Sequence, residues 1–453
     1  MLFSKILHII NKGDSRSVLY KKNTIYMFLL KGISMLISLL YVPLLLSSLD
    51  TDNYGIWLTL TSLVSWVAMM DIGLGNGLRN KLTETLANND ILLARKYVSS
   101  AYVALFVYIL CFLIIFTFAI HSFVPWNVVL NAPDIPEKNI DSLVLVVFFS
   151  FGVQFVLNLI NSILLALQRP AMSSLLSTLG QLLSFIVVLI SVKLFQIKSL
   201  LFLGCVVSLS PVIVLLIATI VLFLGRYKEL CPNIRYYDGS LIRSIIKLGV
   251  LFFLIQIITI VLYQSNNIIL THIVGNEGVV EYNIAYKYFQ ILYMLYMIIV
   301  TPVWSATTQA YALQDFEWIS NVKNKLRQTA LGFSLLGCIM LIISPFVYKI
   351  WIGDEHITIM FSTSLLLLIS EIFRMFYGYY GYIINGIGKL YAQLIITGVM
   401  TILYIPVTIL IAKLWGLVGL LLMNIIVNLI NFIWSRYQYN LLMNKRATGI
   451  WVK

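Results

Sequence analysis

Apolar residues run in about twelve long blocks between Thr24 and Asn440, separated by short polar stretches. Each block offers the ~20 mostly apolar residues that a helix needs to cross the hydrocarbon layer of a bilayer. The pattern predicts spans at 24–48, 53–78, 97–121, 142–167, 171–195 and 199–224, then at 246–272, 279–305, 327–351, 357–385, 390–413 and 416–440. The chain therefore reads as an all-α integral membrane protein with about 12 transmembrane helices. Its longest connections, His121 to Asp141 and Arg226 to Lys247, are too short for a folded soluble domain. The second connection divides the chain into a basic, amphipathic tail (1–23), an N-terminal lobe (24–225, spans 1–6), a linker (226–245), a C-terminal lobe (246–440, spans 7–12) and a second tail (441–453). The halves echo each other faintly: spans 1 and 7 each end in an acidic hairpin followed by an aromatic span, at Tyr54 and Tyr282. Such repeats place a substrate site between the halves in many transporters.

Composition agrees with this reading, with 60% hydrophobic residues, 11% charged residues and a mean hydropathy of +0.94. The net charge of +13 invites a nucleic-acid partner, but the positions of the bases oppose it. Bases collect in alternate connections: Lys5 to Lys22, Arg79 to Lys96, Arg226 to Lys247, Lys323 to Arg327 and Arg436 to Lys453. The intervening connections carry acids such as Asp50, Asp134, Glu277 and Asp354. Cytoplasmic loops gather Lys and Arg, so both termini are expected in the cytoplasm, and no nucleic acid is expected as a partner. The first span follows a basic tail but is too long for a signal-peptide core, and it reads as retained. Interfacial anchors are expected at Trp57, Trp126, Trp304, Trp351, Trp415 and Trp434.

Enzymatic chemistry finds little support. The chain has no phosphate-binding GxxxxGK[ST] loop, no HExxH and no GxSxG. Its four cysteines (Cys111, Cys205, Cys231, Cys338) have neither metal-site nor disulfide spacing and read as packing residues. No metal site or cofactor is expected, and the chain is not read as an enzyme.

The informative residues are ionisable groups inside spans, which are costly there and usually face a partner or a cavity. Lys31, Asp71, Lys287, Glu371 and Arg374 stand out. Glu371 and Arg374 are three residues apart and share a helix face. These groups either close structural pairs or, with three bases against two acids, offer positive charge to an anion such as phosphate. Amides recur at helical spacing in Gln154, Asn158 and Asn161, and again in Asn424, Asn428 and Asn431, while Gln264, Asn266 and Asn267 interrupt span 7. Such stripes line a hydrated cavity or bond helix to helix. Span 8 carries an aromatic stripe of Tyr282, Tyr286, Phe289, Tyr293 and Tyr296, and span 10 adds Phe373, Tyr377 and Tyr380. These rings suit either a sugar or interhelical packing.

The most distinctive string is MDIGLGNGLRNKL, from Met70 to Leu82. It reads as a glycine-loosened end of span 2 that permits close approach of a neighbour, with an acid just inside and bases just outside. This string, its place after span 2, and the hairpin with Tyr54, Gly55, Ile56 and Trp57 resemble the Wzx-type O-antigen and polysaccharide flippases of the multidrug/oligosaccharidyl-lipid/polysaccharide exporter superfamily. The resemblance implies a MATE-like fold, two six-helix lobes forming a V around a central cavity, in the bacterial inner membrane. It implies an undecaprenyl-diphosphate-linked glycan as cargo, an H+ or Na+ gradient as the drive, and polysaccharide polymerase machinery as a partner. It carries over onto Asp71, Asn76, Arg79 and Lys81 alone.

The expected mechanism is alternating access. Arg79 and Lys81 attract the diphosphate, and Lys31, Lys287 and Arg374 hold it. Asn76, Asn158, Asn161, Tyr286 and Tyr293 bind the remaining cargo, and Asp71, Glu281 or Glu371 carries the coupling ion. The alternatives are a lipid II or teichoic-acid flippase, a cation-coupled multidrug exporter of the same fold, and a membrane glycosyltransferase or polymerase. The last of these usually needs a large external loop, which this chain lacks.

Overall fold

A computed structural model describes residues 15–46, 73–121, 123–126, 136–197, 199–274, 276–352 and 359–452. Among these residues only helices form. They are α1 (Ser15–Leu46), α2 (Leu74–Ala87), α3 (Ile91–Ile115, continued by a π-helical turn to His121), α4 (Glu137–Leu157), α5 (Leu159–Ala166), α6 (Pro170–Lys193) and α7 (Leu200–Leu224). Then follow α8 (Gly239–Ile273), α9 (Asn276–Val300), α10 (Val303–Ala312), α11 (Phe316–Ile352), α12 (Phe361–Ile387) and α13 (Tyr391–Met443). Nine helical segments among the described residues are long and apolar enough to cross a membrane. The predicted span 53–78 lies mostly outside the described residues, as do the hairpin at Tyr54–Trp57 and Asp71.

Several helices start well before the predicted spans. α11 begins at Phe316 rather than 327, α8 at Gly239 rather than 246, and α1 at Ser15 rather than 24. An apolar block marks the part of a helix in hydrocarbon, whereas backbone hydrogen bonding continues into the polar zone beyond it. Side chains close several of these ends. Asp90 accepts from Leu93 N at 2.9 Å to start α3, and Ser199 accepts from Phe202 N at 3.4 Å to start α7. Pro170 opens α6, where its missing N–H costs nothing.

Three glycines depend on having no side chain. Gly73 has φ +64° and starts α2. The glycine string is thus the start of a new helix, which corrects the expectation of a loosened helix end. A Cβ on Gly73 would overlap the Gly249 carbonyl, and one on Gly77 would overlap the Ile245 carbonyl. The close neighbour that the string predicts is therefore the first part of α8. Gly416, with φ +58° and ψ −138°, bends α13 between the two spans predicted there.

The chain divides into two compact units, Met1–Val250 and Leu251–Lys453. The division falls inside α8, past the stretch 226–245 expected as linker. The first part of that stretch is strapped to the start of α3. Arg95 Nε donates to the Cys231 carbonyl at 2.9 Å, and its guanidinium stacks 4.4 Å from the Tyr236 ring centre. Ser99 Oγ accepts from Asn233 N at 3.1 Å, and Ser100 Oγ accepts from Asp238 N at 2.9 Å. Arg95 therefore has a structural task beyond its place among the bases. The first unit packs around Leu78, Leu82, Val98, Ile160 and Ile163, and the second around Tyr282, Phe289, Leu368 and Leu420.

The expected anchors separate into two groups. Trp351 and Trp415 are exposed, as anchors should be, while Trp126, Trp304 and Trp434 are buried. Trp126 packs on Phe116 and Phe148, and Trp304 on Phe252 and Tyr382. Hydropathy marks the depth of a tryptophan but not the side of the helix it occupies.

Candidate functional site

The second unit holds a caged arginine built by α8, α9 and α12. The guanidinium carbon of Arg374 lies 4.0 Å from the ring centre of Tyr293 and 4.8 Å from that of Tyr263. Its Nη1 donates to Glu371 Oε1 at 3.2 Å and to the Tyr286 hydroxyl at 3.3 Å. Helical spacing explains this grouping. Tyr286 and Tyr293 are seven residues apart on α9, and Glu371 and Arg374 are three apart on α12. Two aromatic faces and one carboxylate compensate for the removal of the guanidinium from water.

A polar network fixes the cage from behind. Tyr286 stacks on Tyr282 with ring centres 5.6 Å apart and planes 10° apart. The Tyr282 hydroxyl accepts from Asn266 Nδ2 at 3.1 Å. The Tyr404 hydroxyl reaches both Asn266 Oδ1 (2.6 Å) and Asn424 Oδ1 (2.8 Å). The Tyr263 hydroxyl donates to Asn428 Oδ1 at 2.9 Å, and Asn428 Nδ2 donates to Ser370 Oγ at 3.0 Å. The amide stripe of Asn424 and Asn428 thus bonds helix to helix, and Asn431 accepts from the Trp434 indole at 2.9 Å.

Two features leave this site chemically open. Arg374 makes its hydrogen bonds through Nη1 alone among the described residues, so Nε and Nη2 remain as a fork for an incoming acceptor. Glu371 Oε2 is buried with no hydrogen-bond partner among the described residues. A carboxylate oxygen in that position can take a proton, and the fork can take a phosphate or carboxylate. As it stands the pair is balanced in charge, one base to one acid, with no surplus of positive charge.

The aromatic stripe of α9 lies on one face but divides between two tasks. Tyr282, Phe289 and Tyr296 are buried in the unit's interior, and the Tyr296 hydroxyl bonds the Leu326 carbonyl at 3.3 Å. Tyr286 and Tyr293 serve the arginine. Lys287 follows Tyr286 directly, roughly 100° further round the helix, and is exposed. It is not part of the cage. Glu281 is also apart: its Oε1 accepts from Met360 N at 3.0 Å and Thr363 Oγ1 at 2.6 Å, closing the start of α12.

The remaining expected residues belong to the first unit. Lys31 is exposed on α1, and Asn76 is half-buried on α2. Arg79 is 4% exposed and packed inside the unit, so it presents no open charge to a solvated ligand. Lys81 is tied to Glu84 at 2.9 Å. Asn158 interrupts span 4 between α4 and α5, and its Oδ1 accepts from Asn161 Nδ2 at 2.6 Å. Asn161 Oδ1 is buried without a partner among the described residues. Sequence reasoning missed Tyr263, Tyr282 as a support, Asn266 as the hinge of the network, and Tyr404. The available signal was Tyr263 directly before the amides of span 7, and Tyr404 near the middle of span 390–413.

The fold is that of a multi-pass helical membrane protein with MATE architecture. A MATE transporter in its straight conformation matches with a TM-score of 0.77 at 16% identity, covering 96% of this chain and 98% of that one. An outward-facing multidrug resistance MATE family transporter of the MOP superfamily matches with a TM-score of 0.76 at 17% identity, with the same coverage. A MOP superfamily transporter from Pyrococcus furiosus, described by the reverse polarity of its binding pocket, matches with a TM-score of 0.74 at 16% identity, again over 96% and 98%. The chain belongs to the polysaccharide biosynthesis protein family, whose model matches residues 20–307. Over 385 residues it is 24% identical to a Yersinia pseudotuberculosis protein named for O-antigen export, covering 79% of this chain and 81% of that one. The resemblance drawn from the glycine string is borne out at the level of family and fold.

Proposed function

We propose that this chain is a flippase that moves an undecaprenyl-diphosphate-linked oligosaccharide across the bacterial inner membrane by ion-coupled alternating access. Family membership and the relative named for O-antigen export support a lipid-linked glycan as cargo. The observation that carries the mechanism is the Arg374 cage. A guanidinium held between two rings with two donor nitrogens uncommitted is prepared for a phosphate oxygen.

In this reading the diphosphate displaces Glu371 from Arg374, and the released carboxylate takes up a proton. The site then exchanges one anion for another without leaving a bare charge in a low-dielectric interior. Return of Glu371 as a carboxylate expels the phosphate. Glu281, engaged as a helix cap, is no longer needed as the coupling acid. Asp71 remains a second proposed acid through the family string. Tyr286 and Tyr293 hold the arginine rather than the sugar. Lys31, Lys81, Asn76, Asn158 and Asn161 remain proposed contacts of the first unit, and Lys287 is proposed only as an exposed guide.

The test removes both members of the pair at once. Removing Arg374 alone strands a buried carboxylate, which typically costs ~3–5 kcal/mol and confuses folding with function. The double variant R374A/E371A should insert and fold normally yet lose glycan export in a deletion strain. R374K keeps the charge but loses the planar fork, and should lower export about tenfold or more. Wild-type export by the double variant would overturn the mechanism.

A further inference from the structure

The second unit also carries a groove that the transport site does not use. It lies between the last turns of α8 and the first half of α13, and encloses about 350 Å³. Ser265, Ile269, His272, Ile273, Ile405, Ile409 and Lys413 line it. Four of the seven are isoleucine, and the Ser265 hydroxyl is turned inward to the Leu262 carbonyl at 3.0 Å. The walls are therefore dry. On α13 beside the groove, Ile402 is 74% and Leu410 63% exposed, which is a surface for hydrocarbon.

Among the described residues, the open polar side chains gather at one end of the groove. His272 and Lys413 are the last residues of predicted spans 246–272 and 390–413, so both stand where these helices leave the apolar layer. Both are exposed, and neither makes a hydrogen bond or ion pair with a described residue. Among the described residues, no acidic side chain lines the groove. An apolar channel in the membrane with two bases at headgroup depth has the polarity of an anionic lipid, chain below and phosphate above.

We propose that this groove binds one acyl chain of an anionic phospholipid, whose phosphate is held by Lys413 and His272. Charge selects this occupant: a zwitterionic lipid brings its own cation beside the Lys413 ammonium. The lipid wedges α8 against the first half of α13, the two helices that supply Tyr263, Asn266 and Tyr404 to the arginine cage. The site stands independently of which cargo the chain moves.

Native mass spectrometry of the detergent-purified full chain tests this with phosphatidylglycerol and phosphatidylcholine of identical acyl chains. The wild type should retain phosphatidylglycerol preferentially. K413Q should weaken that preference about fivefold, equivalent to the ~1 kcal/mol one basic residue contributes near an anionic surface. I409W should block retention of the lipid while leaving both bases in place. If I409W fails to fold, the surface variant K413Q decides the question alone. Equal retention of the two lipids by the wild type, or an unchanged preference in K413Q, would overturn the proposal. Displacement of phosphatidylglycerol by an equimolar polyprenyl phosphate would also overturn it, by making the groove a berth for the carrier lipid.

Discussion

Arg374 shows how much one residue's surroundings decide. An arginine in a span is expensive, and its rings, carboxylate and hydroxyl partner make it tolerable. The i,i+3 pairing with Glu371 was legible from spacing alone, and the pair indeed forms at 3.2 Å. The tyrosine sandwich was not legible, because Tyr263 is remote in sequence and only packing brings α8 to α12. Glu281 argues the same point in reverse: as a lone acid near a span it suggested ion coupling, yet its oxygen closes the α12 terminus. E281A should lower stability by roughly 1 kcal/mol, the usual cost of losing a cap. It should leave the ion dependence of export unchanged, as measured by thermal unfolding alongside an export assay.

A second residue-scale expectation concerns Asp238, in the connection before α8. The Ser240 hydroxyl and then the Ser240 N–H hold its carboxyl below the usual carboxylate range. A group with a lowered native pKa stabilises the fold above its unfolded value, about 3.9. That contribution is lost as pH falls through the native pKa. Hydrogen exchange in the first turn of α8 should therefore rise as pH drops into this acidic window, after correction for intrinsic exchange rates. D238N should show less of that rise.

Among elements, the helices were legible as apolar blocks but their ends were not. A block reports hydrocarbon, whereas the ends depend on caps and polar turns such as Asp90, Ser199 and Pro170. The glycine string illustrates the limit. Its capacity for close approach was readable from small residues at Gly73 and Gly77, but not its position at the start of α2. The partner, residues 245–249, lies far along the chain. The two special glycines should respond differently to alanine. At Gly416 nothing lies within 4 Å of an added Cβ, so G416A meets only backbone strain, on the order of 1–3 kcal/mol. G73A adds a collision with the Gly249 backbone to a similar strain, and should be clearly worse. Thermal unfolding of the two variants checks the order, and equal losses would contradict it.

For the molecule as a whole, the membrane class and the family were accessible to sequence, the first through composition and the second through a single short string. The division of labour among charges was not. Hydropathy sees a charge in a span but not whether it is paired, exposed or spent on a cap. The most direct test is reconstitution of the full chain into proteoliposomes with an undecaprenyl-diphosphate-linked oligosaccharide in the inner leaflet and an imposed H+ or Na+ gradient. Appearance of glycan at the outer surface should depend on the wild-type chain and on one of the two gradients, and should fall to the protein-free rate with R374A/E371A. Absence of transfer under either gradient, or transfer at the wild-type rate by the double variant, would contradict the account.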